Sequence, residues 1–265
     1  DVLPNFINAA GVNEGTITAG EAGLVGLVGI AIGSFLGAMA SRWPSLDRRI
    51  LLGRSRCPAC GSILSAGETV PIWAWLRQGG RCRHCGIAIG WEPLLAELLG
   101  GLVGLVAVLS LPPLAALLFA VVAWWLLLLA LIDIEHGRLP DLLTLPLAGL
   151  GILAALAAPL PGLPDPVTSL AGAVLGFGLL FATARLYAAW RGREGLGLGD
   201  AKLLAALGAW LGVDDLALVI LGSALAALVV ALLTGRRQAE DSLAFGPWLA
   251  LAGGSLLWWR LVGAA

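Results

Sequence analysis

Two kinds of side chain capable of chemistry stand out in this 265-residue chain: carboxylates in apolar surroundings and cysteines in close pairs. Asp133 closes the long apolar run AWWLLLLALIDIEHGRLPD, which carries Asp133, Glu135 and Asp141 in quick succession. A carboxylate at membrane depth costs about 2.5 to 3.5 kcal/mol on insertion scales, so such groups face a polar cavity and mark function. Asp141 has a structural explanation, because Pro140 is expected to stop one helix and Asp141 to cap the next. Asp133 has none. The second carboxylate, Asp200, lies in EGLGLGDAKLL behind Gly195, Gly197 and Gly199, glycines that let a backbone approach another element closely. A simple flexible turn would use the same glycines. Asp200 is expected to open a helix whose N-terminal dipole suits an anion, with Lys202, the only lysine, available as a counter-charge. Two carboxylates sharing a site divide one proton, so one serves as base while the other donates a hydrogen bond. That chemistry suits peptide hydrolysis by water, and equally a proton relay in a transporter. No Ser/His or Cys/His arrangement competes, since His84 and His136 are the only histidines and neither has an evident nucleophile beside it.

The four cysteines fall in RCPACG at 56–61 and RCRHCG at 81–86, setting Cys57 and Cys60 against Cys82 and Cys85. Two such knuckles can point four thiolates at one tetrahedral Zn²⁺, with Gly61 and Gly86 allowing the turn after each pair. The interval from 61 to 81 slightly exceeds the usual zinc-ribbon spacing. Four sulfur ligands leave no open position, which makes the expected metal structural. A redox dithiol or two disulfides is the alternative, and His84 is expected to be a solvated loop residue.

The elements that must carry these groups are legible in the composition. Hydrophobic residues make up 59% of the chain and charged residues only 12%, about half the charged share of a soluble domain. Mean hydropathy is +0.92. The expected solvent is a lipid bilayer, and the expected fold is an all-α polytopic membrane protein. Apolar runs long enough to span as helices fall at 22–40, 94–111, 113–132, 142–160, 167–188, 200–212, 214–233 and 245–262, eight in all, the sixth being short. Residues 1–20 read as an exposed tail on the non-cytoplasmic side, 21–40 as the first span, 41–93 as a cytoplasmic zinc domain with four cysteine ligands and 94–265 as the remaining membrane domain. Basic residues support that orientation. Arg42, Arg48, Arg49, Arg54, Arg56, Arg77, Arg81 and Arg83 follow the first span, and Arg138, Arg185, Arg191, Arg193, Lys202, Arg236 and Arg237 fall on the same side, leaving Arg260 opposite. Both aspartates then lie at the cytoplasmic boundary. Trp43, Trp91, Trp190, Trp210, Trp258 and Trp259 sit near span ends, as interfacial aromatics do. We find no internal repeat. A net charge of −1 singles out no charged partner, and no nucleic acid is expected.

In chain order, GSFLGAMASRWP at 33–44, the two CxxC knuckles, ALIDIEHGRLPDLLTLP at 130–146, GLGLGDAKLLAALGAWLG at 195–212 and FGPWLAL at 245–251 resemble the type IV prepilin peptidases. More distantly they resemble the GxGD aspartyl proteases. The resemblance spans about residues 30 to 255 and implies eight spans, a zinc-binding cytoplasmic loop and catalytic aspartates at Asp133 and Asp200, supported by Gly197, Gly199 and Lys202. It implies an enzyme of the bacterial inner membrane that cuts the basic leader from prepilins or pseudopilins of type IV pilus and type II secretion systems. Many such enzymes then methylate the new N-terminus with S-adenosylmethionine, for which Gly80 and Glu97 are the candidate residues here, beside plain readings as a turn glycine and a helix-start acid. The family usually has Asn at the position of Gly37, and an RYPLVE-like segment where this chain has WEPLLAE. Glu135, Glu194 and Glu240 are available to attract a basic leader. The other readings are a peptidase without methyl transfer, a proton-coupled transporter and a zinc-stapled scaffold.

Overall fold

The computed structural model describes residues 17–44, 55–57, 59–157, 160–192, 197–233 and 244–264. Most of the expected tail, and Arg48, Arg49, Arg54, Arg193, Glu194, Gly195, Arg236, Arg237 and Glu240, lie outside the described residues. Nine α-helices occur among those described: α1 (Ala19–Ala40), α2 (Trp73–Arg77), α3 (Glu92–Ser110), α4 (Pro113–His136), α5 (Asp141–Ala157), α6 (Pro166–Arg191), α7 (Leu198–Leu211), α8 (Leu216–Leu233) and α9 (Gly246–Gly263). Only the short α2 lacks a counterpart among the apolar runs. No strand forms among the described residues beyond two isolated bridges, Arg56 with Ile63 and Arg81 with Ala88.

Five helices, α1, α3, α4, α6 and α8, are long and apolar enough to cross a bilayer. The exception most relevant to the site is α7. At 14 residues it is about 21 Å long, too short for a bilayer core. Its side chains explain why it forms regardless: Leu203, Leu204, Ala206, Ala209 and Leu211 are fully buried, so protein surrounds this helix where lipid would otherwise lie. It packs against α5, α6 and α9. The contact with α6 is backbone on backbone, because a methyl group on Gly172 would lie 2.3 Å from the Gly208 carbonyl oxygen and one on Gly208 2.2 Å from that of Gly172. Small residues allow this approach where apolar burial offers little drive between helices in lipid.

Local signals account for the helix ends. Thr18 and Glu21 form a reciprocal capping box at the start of α1. Asp165 caps α6, accepting from the Val167 and Thr168 amides at 2.9 and 3.2 Å. α4 runs past the predicted end at 132 to His136, so Pro140 is not what stops it. Gly137 does, at φ 61°, with its amide donating to the Asp133 carbonyl at 2.8 Å. Asp133 is therefore a helical residue, one turn inside its helix. Asp141 is likewise the first residue of α5 rather than its cap. Trp210 departs from the interfacial expectation: it is buried, and its indole N–H donates to the Leu147 carbonyl at 2.9 Å.

Candidate active site and metal centre

Asp133 and Asp200 approach from two helices of opposite role, the C-terminal turn of α4 and the N-terminal turn of α7. Both are buried, at 6% and 9% exposure, and both line one pocket of about 280 Å³. Its other walls are Gly137, Arg138 and Leu139 from the turn after α4, and Gly197, Leu198 and Gly199 from the entry to α7. The two turns fit together at Gly199, where a methyl group would lie 2.9 Å from Leu139 Cβ. Any side chain there would push the Asp200 turn off the Asp133 turn. Gly197 supplies the cap position of α7, and its carbonyl accepts the Asp200 amide at 3.2 Å.

A further element enters through its backbone. The Gly246 amide, at the start of α9, donates to Asp133 Oδ2 at 3.0 Å, and a methyl group on Gly246 would lie 2.6 Å from that oxygen. The FGPWLAL motif gave no hint of this role through its side chains; the available signal was a Gly-Pro pair opening a helix, which places free amides beside an anion. Lys202 also differs from expectation. Its ammonium pairs with Asp141 at 2.5 Å, joining α7 to α5 at the rim of the site.

The cysteines form a separate cluster. All four sulfurs lie within 4.8 Å of one another, and those of Cys57 and Cys85 are 3.9 Å apart. A tetrahedral zinc with Zn–S bonds of about 2.3 Å sets its sulfurs about 3.8 Å apart, so the donor set fits that metal. The knuckles are near copies, a short repeat where none was expected from the sequence. Cys57 N–H donates to the Ser62 carbonyl as Cys82 N–H does to that of Ile87, and Gly61 and Gly86 adopt φ 70° and 72°. Arg56 and Arg81 each donate to the carbonyl of the glycine closing their own knuckle, both at 3.3 Å. Hydrogen bonding with the hydroxyl and amide of Ser62 lowers the Cys60 thiol to about 6. The Ile87 amide pulls Cys85 down, but desolvation and the neighbouring sulfurs outweigh it and push that thiol up to about 11. Four thiols this close cannot all ionise unaided; a divalent cation relieves the repulsion. His84 is outside the quartet and pairs with Glu68 at 3.4 Å.

Gly80 and Glu97 both have structural employment. Gly80 adopts φ 65° with the Trp75 ring close behind it. Glu97 is buried on α3 and accepts from Ser34 Oγ of α1 at 2.7 Å and from the Ile72 amide at 2.6 Å. It thereby clamps the cysteine segment to two membrane helices. Ile72 holds an unfavourable positive φ of 61° at this junction.

Residues 120–232 match the type IV leader peptidase family, and residues 27–111 match the bacterial peptidase A24 N-terminal domain. The chain is 37% identical over 256 residues to the prepilin leader peptidase/N-methyltransferase of Dichelobacter nodosus, covering 86% of this chain and 88% of that protein. Its counterparts in Aeromonas salmonicida and Pseudomonas aeruginosa are 37% identical over 268 residues and 36% over 259, with 88 to 90% of each chain covered. No solved structure matches significantly. Both aspartates and all four cysteines lie inside the matched regions, and with such identity over nearly the full length of its relatives the chain belongs to the type IV leader peptidase family.

Proposed function

We propose that this membrane protein removes the basic leader of type IV prepilins or pseudopilins by aspartate catalysis at the cytoplasmic face of the bacterial inner membrane. The observation that carries the reading is the single pocket of about 280 Å³ lined by Asp133 and Asp200 together with the two glycine-bearing turns. One aspartate, ionised, takes a proton from water as the water attacks the scissile carbonyl. The other, protonated, hydrogen-bonds the carbonyl oxygen as negative charge develops on it, and the adduct then collapses as the C–N bond breaks and the proton taken from water passes to the leaving nitrogen. Gly246 N–H steadies the Asp133 carboxylate through this exchange. A prepilin held in the membrane by its apolar helix, with a positive leader in the cytosol, would present its cleavage site at the depth where helix α4 ends.

The relatives' names carry methyl transfer as well as cleavage, and we extend both to this chain, with S-adenosylmethionine as the methyl donor. Gly80, backed by Trp75, and Glu97, whose carboxylate accepts from Ser34 and the Ile72 amide, stay the candidate residues for that step, and their packing suits them to shaping the methyl-transfer site. Cys57, Cys60, Cys82 and Cys85 would hold Zn²⁺, which supplies cross-linking rather than chemistry. Helices α5 and α9, with the short α7 crossing inside a protein shell rather than against lipid, complete the eight-span reading in this proposal, with both termini outside.

Incubating the purified protein with a prepilin peptide and S-adenosylmethionine, followed by mass measurement of the product, tests the reading. Loss of the leader with a further methyl mass on the new N-terminus is expected. An intact peptide would defeat the peptidase, and an unmethylated product would remove the second activity alone.

A further inference from the structure

The cysteine segment turns an apolar face outward that the peptidase site does not use. Within α2, Ala74 is buried and the Trp75 indole donates to the Gly90 carbonyl at 3.1 Å, so these residues face the segment's interior. Trp73 and Leu76, three apart and thus on a common face, are 59% and 60% exposed, with exposed Arg77 beside them. A small domain projecting into water would have no reason to leave a Trp and a Leu uncovered together.

The Glu97 clamp fixes where that face lies. Glu97 is the sixth residue of α3, about 7.5 Å along the axis from Glu92. Ser34, its partner on α1, lies six residues before Ala40, about 9 Å from the end of that helix. Helix α3, with 19 residues, is about 28 Å long, close to the roughly 30 Å of a bilayer's hydrocarbon core. The Ile72 amide bonds to Glu97, and α2 begins at the next residue. Helix α2 therefore starts beside the first turns of α3, level with the boundary between acyl chains and headgroups, rather than above it. Trp and Leu on an outward face at that level, flanked by Arg, match the chemistry of a lipid surface: apolar rings at the acyl boundary and guanidinium among phosphates.

We propose that Trp73, Leu76 and Arg77 form an interfacial foot that seats the cysteine segment on the bilayer, docking to anionic lipid rather than to a protein partner. The foot and the Glu97 clamp hold the segment from two sides, one through lipid and one through protein.

The test uses the full chain in vesicles of phosphatidylcholine and phosphatidylglycerol, with a photoreactive benzoylphenylalanine at Trp73, at Leu76 or, as a control, at exposed Arg83 on the second knuckle. Lipid adducts at the first two positions are expected to exceed those at Arg83 by about tenfold. Equal yields would overturn the proposal, as would cross-links from Trp73 or Leu76 to a second copy or to an added prepilin peptide in place of lipid. Hydroxyl-radical footprinting of the unsubstituted protein in the same vesicles gives an answer independent of any substitution. After correction for intrinsic reactivity, Trp73 and Leu76 should oxidise several-fold more slowly than His84, and equal rates would sink the idea.

Discussion

The cysteine quartet and the aspartate pocket are built on opposite plans. Each knuckle closes on itself: a cysteine amide bonds five residues ahead, a glycine turns, and an arginine caps the turn from the preceding position. Two copies then need only meet. In the aspartate pocket local bonds shape only the separate turns, Gly137 N–H to the Asp133 carbonyl and Asp200 N–H to that of Gly197, and none of them joins the two. Its carboxylates lie 67 positions apart in the chain, the amide that steadies one of them comes from 113 positions further on, and the turns that wall it mesh only because Gly199 has no side chain. The first site is held by short-range hydrogen bonds that bring four sulfurs close enough to hold a metal ion. The second is held by the packing of α4, α7 and α9, and a single misplaced methyl group disturbs it.

That contrast sets the order of expected effects. Asp133→Asn or Asp200→Asn should each lower leader cleavage by at least about 10³-fold, the share expected of a positioned acid or base, with unchanged helical content and membrane insertion. Retained cleavage in either variant would detach the pocket from the chemistry. Gly246→Ala is the sharper probe of assembly, because its methyl group and the Asp133 carboxylate cannot both keep their places. A fall in kcat of about 10²-fold is expected, with KM little changed. If kcat is untouched, α9 is not a wall of the working site. Cys57→Ser, or zinc stripped by a chelator, tests the other side of the comparison. The bound metal should fall from one per chain to none, and proteolysis between residues 55 and 90 should accelerate, while circular dichroism of the membrane helices stays within about a tenth of its starting value. Collapse of the helices as well would show that the two regions are not separable.

The same contrast explains what could be read from the residues alone. The knuckles were legible because their determinants are contiguous: RCxxCG, written twice, specifies ligand, turn and cap within six residues. The membrane helices were legible to within a few residues because lipid demands long apolar runs, and even the short α7 announced itself by composition. Asp133 and Asp200 stood out because charge in such runs needs a reason. What stayed hidden was every partner supplied through backbone or across helices. Gly246 has no side chain to betray a role, and Glu97 looked like a helix-start acid because Ser34 and the Ile72 amide are far off in sequence. α4 was expected to stop at Pro140 because proline is the stronger breaker on paper, whereas Gly137 reaches the left-handed region first.

Lys202 gives the smallest effect and the finest distinction. Two positions after Asp200, it looked like that aspartate's counter-charge, but the folded chain turns it to Asp141, joining α7 to α5. If it neutralised Asp200, Lys202→Met would displace the pH profile of cleavage. With Asp141 as the partner, the profile should stay in place. The pair is partly open to solvent, with 27% of the Lys202 side chain and 57% of the Asp141 side chain exposed, so its loss should cost about 0.5 kcal/mol or less. Asp141→Asn should produce the same small loss, and combining the two substitutions should add little to either alone, as a double-mutant cycle reads for partners in direct contact. A moved pH profile in the Lys202 variant alone would return this lysine to Asp200 and make it part of the aspartate pocket.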